Sequence, residues 1–555
     1  MTIIKQLSTA LTLSTLVLGA AIYPRADEST SIKPACDKAD ALVPSFQNSI
    51  EKILFDSEYK DASIERLSGA VQIPTVVDDD PPNPQDDMGY YSNFTTLHTY
   101  LNETFPLLHK TLKVEFINTF GLLYTWEGAD TSLKPMLFTA HQDVVPVNNN
   151  TIDDWTFPPF SGHYDNQTDS LWGRGSFDVK NLMIAHMEAV EKLLEDGYQT
   201  DRTVLLSYGF DEEAGGTWGA KYIANIIEEK YGQDGVMVMF DEGPGLVKLD
   251  NTTYIAAIPN AEKGYLDAVV TVNGVGGHSS SPPAHTTIGV AASMITSLED
   301  NPALFDFNVQ NPLYGFMTCA AEYSSLLPTS IKEMVLGAAT NETLENLLGQ
   351  TLYNTELTKN YITTTQAVDI INGGVKANAL PETTEFTVNH RVAYGSSVDE
   401  TKQRIFNYAN ITATSFGYGL IVEGEQIINT TSLGYIRVDY TQFLEPSPVS
   451  ASNGPTWDLL TGTIQNLFVN DVWGPQGLDN NVYSASAIVT TNTDSKHYWN
   501  VTDTIYRFIG AVTDPSILET VHSVDEHVIM DNHLQSVAFF YEFIVNTNDH
   551  GQDIE

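Results

Sequence analysis

Five short segments of this chain place histidine or carboxylate side chains where they could bind divalent metal ions. They are His141-Gln142-Asp143, Asp178 in a glycine-rich stretch, Asp211-Glu212-Glu213, Asp241-Glu242-Gly243 and His522-Ser523-Val524-Asp525-Glu526. Imidazole nitrogens and carboxylate oxygens are zinc ligands. A carboxylate has two oxygens and can bridge two cations, and two ions about 3.5–4 Å apart form a common hydrolytic centre. The set as a whole therefore suits a two-metal site.

Each segment on its own also has a purely structural interpretation. His141 fits a hydrogen-bonded histidine of the core, and Asp178 fits the N-cap of a following helix. The acidic triplet at 211–213 fits an exposed loop. However, three adjacent carboxylates raise one another's pKa values unless a cation lies among them. Adjacent glutamates can also divide the work, one binding a metal and the other acting on water.

The elements around these segments would bring them to one edge of a sheet. Apolar runs at Met136–Ala140, Thr203–Phe210 and Gly235–Phe240 predict strands, and a polar segment follows each of them directly. Lys180–Asp196 and Trp218–Tyr231 have the apolar spacing of helices. This β-α-β order predicts an α/β fold with a mixed sheet and helices on both faces. Open α/β sheets bind ligands at their strand ends.

The pattern changes at Gly264 and predicts an inserted, smaller α+β domain. Its predicted elements are strands at Tyr265–Asn273, Ala367–Ile371 and Thr384–Val392, a helix near Thr287–Leu298, and irregular or helical chain over 300–365. We therefore assign residues 35–263 and 425–555 to the metal-binding domain and residues 264–424 to the insertion. Two domains is the number expected for a chain of 555 residues.

Residues 1–22 predict a secretory signal peptide. Lys5 gives a positive start, Leu7–Ala21 is apolar with some Ser and Thr, and Gly19-Ala20-Ala21 offers small residues for cleavage. A signal anchor is the alternative, and we expect membrane association only in that case. Nine Asn-x-Ser/Thr sequons support the secretory pathway, leading either to the extracellular space or to the vacuole lumen: Asn93, Asn102, Asn149, Asn166, Asn251, Asn341, Asn410, Asn429 and Asn500.

The charge balance argues against nucleic acid as a partner. The chain has 27 Lys and Arg residues against 71 Asp and Glu residues, a formal charge of −44. A nucleic-acid-binding protein needs a basic face, and none is visible. A serine hydrolase is also disfavoured, because no Gly-x-Ser-x-Gly elbow lies between a strand and a helix. Cys36 and Cys319 fit a disulfide no better than two free thiols, so their pairing stays open.

Taken in order, the motifs resemble those of a two-zinc metallopeptidase family that contains carboxypeptidase S, glutamate carboxypeptidase and aminoacylase. The likeness covers about residues 60–545 and is strongest to the carboxypeptidase S branch. The motifs that carry it begin at His141, Gly173, Asp211, Asp241 and His522 and read His-x-Asp-Val-Val-Pro, Gly-Arg-Gly-Ser-x-Asp-x-Lys, Asp-Glu-Glu, Asp-Glu-Gly and His-x-x-Asp-Glu.

This resemblance implies two Zn²⁺ per chain and a role for each polar residue. His141 and His522 would each bind one zinc, Asp178 would bridge both, and Glu213 would bind the first. The other zinc would take its carboxylate from Glu242 or from the adjacent Asp241. By the same resemblance, Asp143 would orient His141, and Glu212 would be the general base.

The insertion also resembles the family's ferredoxin-like lid and dimerisation domain, which implies a monomer or a homodimer. By that likeness His278, in Gly274-Val-Gly-Gly-His-Ser-Ser280, would stabilise the oxyanion. Asn378 would contact substrate, and Arg391 would grip a terminal carboxylate with its planar guanidinium. From the residues alone, His278 fits a loop and Arg391 a surface charge. The chain departs from many relatives by having Lys496 where they have arginine.

The activity implied by the resemblance is that of a Gly-X carboxypeptidase acting on short peptides. An N-acyl-amino-acid amidohydrolase is the alternative, since it would need the same metals, the same base and the same carboxylate grip. A metal-binding protein without catalysis is a further alternative, which the intact Glu212 argues against.

Overall fold

The computed structural model describes residues 36–305 and 307–554, so the predicted signal peptide at 1–22 lies outside the described residues. The strands in chain order are β1 Cys36–Asp37, β2 Lys113–Ile117, β3 Gly121–Trp126, β4 Met136–His141, β5 His163–Asp165, β6 Ser170–Trp172, β7 Val204–Gly209, β8 Val238–Asp241, β9 Leu246–Lys248, β10 Thr253–Glu262, β11 Gly264–Gly274, β12 Gly277–His278, β13 Thr365–Gly373, β14 Ala379–Leu380, β15 Thr383–Val392, β16 Gly419–Val422, β17 Glu425–Ile428, β18 Gly434–Leu444, β19 Asn481–Val489, β20 Ile505–Arg507 and β21 His527–Ile529.

The helices alternate with these strands in the first part of the chain and cluster in the middle. They are α1 Ile50–Phe55, α2 Ser57–Val71, α3 Ser92–Thr104, α4 Pro106–Thr111, α5 Lys180–Glu195, α6 Ala220–Tyr231, α7 Thr287–Glu299, α8 Leu313–Tyr323, α9 Thr329–Ala338, α10 Glu342–Tyr353, α11 Glu356–Ile362, α12 Val398–Phe416, α13 Pro455–Gln465, α14 Pro515–Leu518 and α15 Met530–His550. A π-helical segment, Asn466–Trp473, continues α13.

A mixed six-stranded sheet with the order β2-β3-β7-β4-β8-β20 forms the centre of the larger domain. Its strands β7, β4, β8 and β20 are parallel; at one edge β3 runs antiparallel to β7, and β2 runs antiparallel to β3. Successive residues along a strand point to opposite faces. Phe138 and Leu206 accordingly pack with α5 and α15, whereas Leu137 and Leu205 pack with α6. The predicted α/β fold with helices on both faces is confirmed.

A second sheet, with the order β1-β19-β10-β9, lies beside the first and receives the helices α8–α11. Ile255 of β10 and Ala485 and Ile488 of β19 share one apolar cluster with these helices. The segment predicted as irregular or helical is thus helical, and it packs on this second sheet. Cys36 of β1 and Cys319 of α8 form a disulfide, which answers the question that the sequence left open.

The insertion forms its own six-stranded sheet, with the order β13-β15-β11-β18-β16-β17. Helices α7 and α12 cover one face of it, where Val270, Val388 and Val438 meet apolar residues of both helices. This is the predicted α+β domain. Its sheet extends past residue 424, because β18 pairs with β11 along its whole length and completes the sheet. Over the described ranges, no helix has both the length and the apolar character needed to span a membrane.

Replacing Cys36 and Cys319 together by serine is expected to lower the midpoint of thermal unfolding. The disulfide joins residues with a sequence separation of 283, and such cross-links contribute about 2–4 kcal/mol by restricting the unfolded chain. Circular dichroism measures the midpoint. A reducing agent should bring the unaltered protein to the midpoint of the variant and leave the variant unchanged. Equal midpoints for the two proteins without reductant would contradict the expectation.

Candidate metal centre

The polar segments meet at the carboxyl end of the parallel strands. His141 ends β4, Asp241 ends β8, and the turn Glu212–Ala214 follows β7. Asp178 lies in the turn before α5. A small antiparallel sheet places His527 of β21 opposite Trp172 of β6, which brings the loop containing His522 beside that turn.

Asp178 is the residue shared by both halves of the cluster. Its Oδ1 lies 3.2 Å from His141 Nε2, and its Oδ2 lies 2.9 Å from His522 Nε2. On one side Glu242 Oε2 lies 3.8 Å from His141 Nε2, and on the other Glu213 Oε2 lies 3.0 Å from His522 Nε2. The result is two adjacent sets of ligand atoms, each with one histidine and one further carboxylate, joined by the two oxygens of one aspartate.

The electrostatics of the cluster fit bound cations. Burial raises the pKa values of Glu213 and Glu242, and the charge of Asp178 raises both further. Hydrogen bonds to Asp178 and Glu213 raise the pKa of His522 to about 10. The carboxylates thus draw protons because their negative charge is concentrated and shielded from water. Two adjacent groups of histidine nitrogens and carboxylate oxygens suit the binding of two zinc ions.

Asp241 and Glu242 have different surroundings despite being adjacent. The Asp241 carboxylate accepts hydrogen bonds from Thr139 Oγ1 at 2.7 Å, from Ser495 N at 3.0 Å and from Glu242 N at 3.0 Å. Both carboxylate oxygens of Asp241 therefore accept hydrogen bonds from the protein, and one of these bonds fixes the backbone of Glu242. Glu242 instead points its carboxylate at His141 and, with Glu212, forms a group of possible ligands around that ring.

Asp143 holds both a histidine and a turn in place. Its carboxylate accepts hydrogen bonds from the backbone nitrogens of Glu212 at 3.1 Å and Glu213 at 3.0 Å. His141 Nδ1 lies 3.0 Å from the Asp143 backbone oxygen and 3.5 Å from its Oδ1. Contacts of this kind orient a metal-binding imidazole. Asp143 is fully buried, so water does not compete for these bonds.

Glu212 lies within the cluster, and its carboxyl group is suited to proton transfer. Burial raises its pKa to about 8, an effect that the charge of His141 opposes and that of Glu213 reinforces. A carboxyl group with a pKa near neutrality can both accept and donate a proton.

Sequence reasoning missed one buried ion pair that positions the cluster. Arg174 Nη1 lies 2.6 Å from Glu526 Oε2, and both side chains are buried. Glu526 Oε1 accepts hydrogen bonds from the backbone nitrogens of Phe177 and Asp178, while Arg174 Nη2 donates to the Ser523 carbonyl. The pair thus fixes the turn containing Asp178 against the loop containing His522. Both residues stand in the motifs, and their opposite charges were the available signal.

The three candidate residues of the insertion lie apart from this cluster. β12 pairs with β14, so His278 lies beside Ala379 and next to Asn378, and both candidates are exposed. Arg391 Nη1 donates to Asn492 Oδ1 at 2.9 Å, and the guanidinium lies 5.2 Å from the Tyr265 ring centre. Among the described residues, no hydrogen bond or ion pair joins these three side chains to the carboxylate cluster.

Comparison with known sequences gives the same family along most of the chain. Residues 137–546 match the profile of Peptidase family M20/M25/M40. Carboxypeptidase S of Saccharomyces cerevisiae is 51% identical over 520 residues, which cover 93% of this chain and 89% of that protein. The Homo sapiens N-fatty-acyl-amino acid synthase/hydrolase PM20D1 is 30% identical over 506 residues, which cover 89% of each.

Solved structures share the fold at low sequence identity. Human carnosine dipeptidase 1 superposes with a TM-score of 0.61 at 14% identity, covering 91% of this chain and 100% of that one. Sso-CP2 of Sulfolobus solfataricus, described as an M20 family metallo-carboxypeptidase, gives 0.57 at 17% identity, covering 87% and 98%.

Proposed function

Because this chain belongs to peptidase family M20/M25/M40, we propose that it removes the C-terminal amino acid from short peptides with two zinc ions bound between His141 and His522. Membership of the family makes it a metal-dependent hydrolase of peptide bonds. The 51% identity to carboxypeptidase S supports the choice of the C-terminal bond. The observation that carries the two-metal proposal is Asp178, whose two oxygens face two different histidines.

The ligands divide into two sets. His141, Asp178 and Glu242 would hold one zinc, and Asp178, Glu213 and His522 would hold the other. Each set would supply one imidazole and two carboxylates, the donor types found in catalytic zinc sites, which also bind water or substrate. Asp241 supports the Glu242 backbone and is not a ligand in this proposal.

Glu212 carries the proton through the reaction. Zinc held by these residues would polarise the scissile carbonyl and lower the pKa of the attacking water. The Glu212 carboxylate takes a proton from that water as its oxygen bonds to the carbonyl carbon. It then gives the proton to the amide nitrogen as the C–N bond breaks, and the second proton of the attacking water also passes to the departing amine, so that a carboxylate and an ammonium group are released. Asp143 holds the backbone of Glu212 and the imidazole of His141 in place during the reaction.

The insertion supplies the remaining substrate contacts. His278 stabilises the oxyanion, Asn378 contacts the substrate, and Arg391 binds its terminal carboxylate. His278 and Asn378 lie at one exposed pair of short strands, apart from the cluster. They therefore reach a substrate bound at the cluster only when the insertion that carries them lies close to the cluster. That insertion belongs to the same chain in a monomer or to a second copy in a homodimer.

The protein works in the secretory pathway in this proposal, either outside the cell or in the vacuole lumen. The asparagines of the nine sequons support it, since all are exposed except Asn410, which is half-buried. The disulfide between Cys36 and Cys319 supports it too, because disulfides persist in oxidising compartments.

Glu212→Gln is expected to abolish hydrolysis and leave zinc binding intact. The amide cannot accept the proton of water, and loss of a general base lowers kcat by about a hundredfold or more. Initial rates on a blocked Gly-Leu dipeptide measure the effect, and metal analysis shows whether two zinc ions remain. Glu229→Gln, on the exposed face of α6, is the matched control. Unchanged hydrolysis by Glu212→Gln would overturn the mechanism and favour a different base.

Glu242→Gln and Asp241→Asn should separate the two adjacent carboxylates. Loss of a ligand charge weakens one site, so we expect zinc content to fall from about two ions per chain to about one for Glu242→Gln. Asp241→Asn should keep both ions and lose stability, because it disturbs the hydrogen bonds to Thr139 and Ser495. Metal analysis after dialysis against a weak chelator measures both. Loss of zinc from Asp241→Asn alone would reverse the assignment.

An N-acyl-amino-acid hydrolase is the second candidate, favoured by the 30% identity to PM20D1. A panel of blocked Gly-Leu, N-acetyl and N-oleoyl amino acids decides between the two. We expect the highest kcat/KM on the dipeptide, with all activities lost together after chelation and restored by zinc. A higher kcat/KM on N-oleoyl amino acids would favour the second candidate.

A further inference from the structure

His522 lies in a loop of turns that no helix or strand holds in place. The loop connects α14 to β21, and the His522 side chain is 51% exposed. Its backbone φ is 57°, in the left-handed region that residues other than glycine seldom adopt. His141, by contrast, ends strand β4 and is buried. Because the His522 ring still lies within 3.0 Å of oxygens of Asp178 and Glu213, other contacts must hold the loop in this shape.

Two contacts hold the loop, and the second of them is made by the side chain of Asp525. Arg174 Nη2 donates to the Ser523 carbonyl at 3.1 Å, which is one point of attachment. Asp525 Oδ1 accepts a hydrogen bond from Thr156 N at 2.6 Å, and its Oδ2 accepts one from Thr156 Oγ1 at 2.8 Å. Asp525 is also left-handed, with a φ of 62°. A loop held at one point can pivot, whereas attachment on both sides of a sharp turn fixes the direction of His522.

Thr156 is a firm anchor because its own segment, between β4 and β5, is packed on Arg174. The neighbouring Trp155 is buried, and its ring lies 5.4 Å from the Arg174 guanidinium. Arg174 N donates to the Pro159 carbonyl at 2.7 Å. These contacts lie on both sides of Thr156 in the sequence and fix its backbone. Asp525 then joins the His522 loop to this segment across a sequence separation of 369.

We propose that Asp525 and Thr156 form a clamp that positions His522 to bind zinc. The inference rests on the proposed function and extends it, since it names the residues on which one of the two zinc sites depends. Both are positioning residues, because their side chains hydrogen-bond to each other and act on the metal only through His522. Loss of a contact that orients a metal ligand weakens metal binding by about tenfold to a hundredfold. The site at His141 does not depend on the clamp, because β4 holds that histidine.

The test measures the zinc content of holoenzyme variants after dialysis against buffers of set free zinc concentration. Asp525→Gly removes both hydrogen bonds and tolerates the left-handed backbone. We expect one of its two zinc ions to need about tenfold to a hundredfold more free zinc for half-occupancy, while the other binds as in the unaltered protein. Thr156→Val removes one of the two bonds and should cause a smaller loss of the same ion. Thr156→Ser keeps both donors and should bind zinc normally.

Two combined variants identify the affected ion and the contact. In His522→Ala only the other zinc site remains, so adding Asp525→Gly should not change the binding of that ion. Adding Asp525→Gly to Thr156→Val should weaken zinc binding no further than Asp525→Gly does alone, because both changes break the same contact. The matched control is Asp234→Gly, at an exposed aspartate that lies before β8 and has a φ of 50°. It should leave zinc binding unchanged.

Three outcomes would overturn the inference. The first is normal zinc binding by an Asp525→Gly variant that circular dichroism shows to be folded, or by Thr156→Val where Asp525→Gly does not fold. The second is an equal loss of both ions, because Asp525 would then support the domain as a whole. The third is an unaltered protein that holds fewer than two zinc ions, which would also refute the proposed function. The first two leave the proposed function standing, provided that Glu212→Gln is inactive.

Discussion

The concentration of negative charge at the ends of the parallel strands is the constraint on which this structure depends. Asp178, Glu212, Glu213 and Glu242 lie within one small region that is largely withdrawn from water. Burial and the repulsion between these carboxylates raise the pKa values of Glu212, Glu213 and Glu242, and bound cations would offset that repulsion. The surrounding residues therefore hold the carboxylates in place and direct their oxygens toward shared positions where a cation could bind.

Support for the cluster comes from side chains that do not themselves face it. Asp143 fixes the turn with Glu212 and Glu213 through two backbone nitrogens. Glu526, neutralised by Arg174, does the same for the turn with Asp178. Asp241 fixes Glu242 in the same way, because its carboxylate accepts a hydrogen bond from the Glu242 backbone nitrogen. In each case a buried carboxylate accepts hydrogen bonds from backbone N–H groups, so the candidate ligands are held in place through their backbone and not through their own carboxylate oxygens.

Three parts of the fold meet at the segment that follows β19. The central sheet supplies rigid strand ends, and the second sheet, fastened by the disulfide from β1 to α8, supplies the segment with Asn492 and Lys496 after β19. The insertion contributes Arg391, which contacts that same segment, while its exposed pair of short strands holds His278 and Asn378. The candidate substrate-binding residues thus lie on an insertion that is a separate α+β unit, apart from the cluster at the strand ends.

Much of this could be predicted from the sequence. The apolar runs before His141, Glu212 and Asp241 identify strands, because buried parallel strands need continuous apolar residues. The parallel order then implies that the polar residues following them share one edge. Zinc chemistry narrows the ligands to histidines and carboxylates. The structure places the α/β fold, the α+β insertion and the ligand candidates of the five segments as these rules expect.

The remaining features depended on contacts between residues far apart in the chain, and local pattern does not encode those. Asp241 and Glu242 are equally acidic, and only the packing of Thr139 and Ser495 around one of them tells which turns toward His141. The pairing of Cys36 with Cys319 required β1 to lie against β19 and α8 to pack on it. The Arg174–Glu526 pair and the contact between Thr156 and Asp525 likewise exist only after folding. Sequence alone determined which side chains could form the site, and tertiary packing decided which atoms face it.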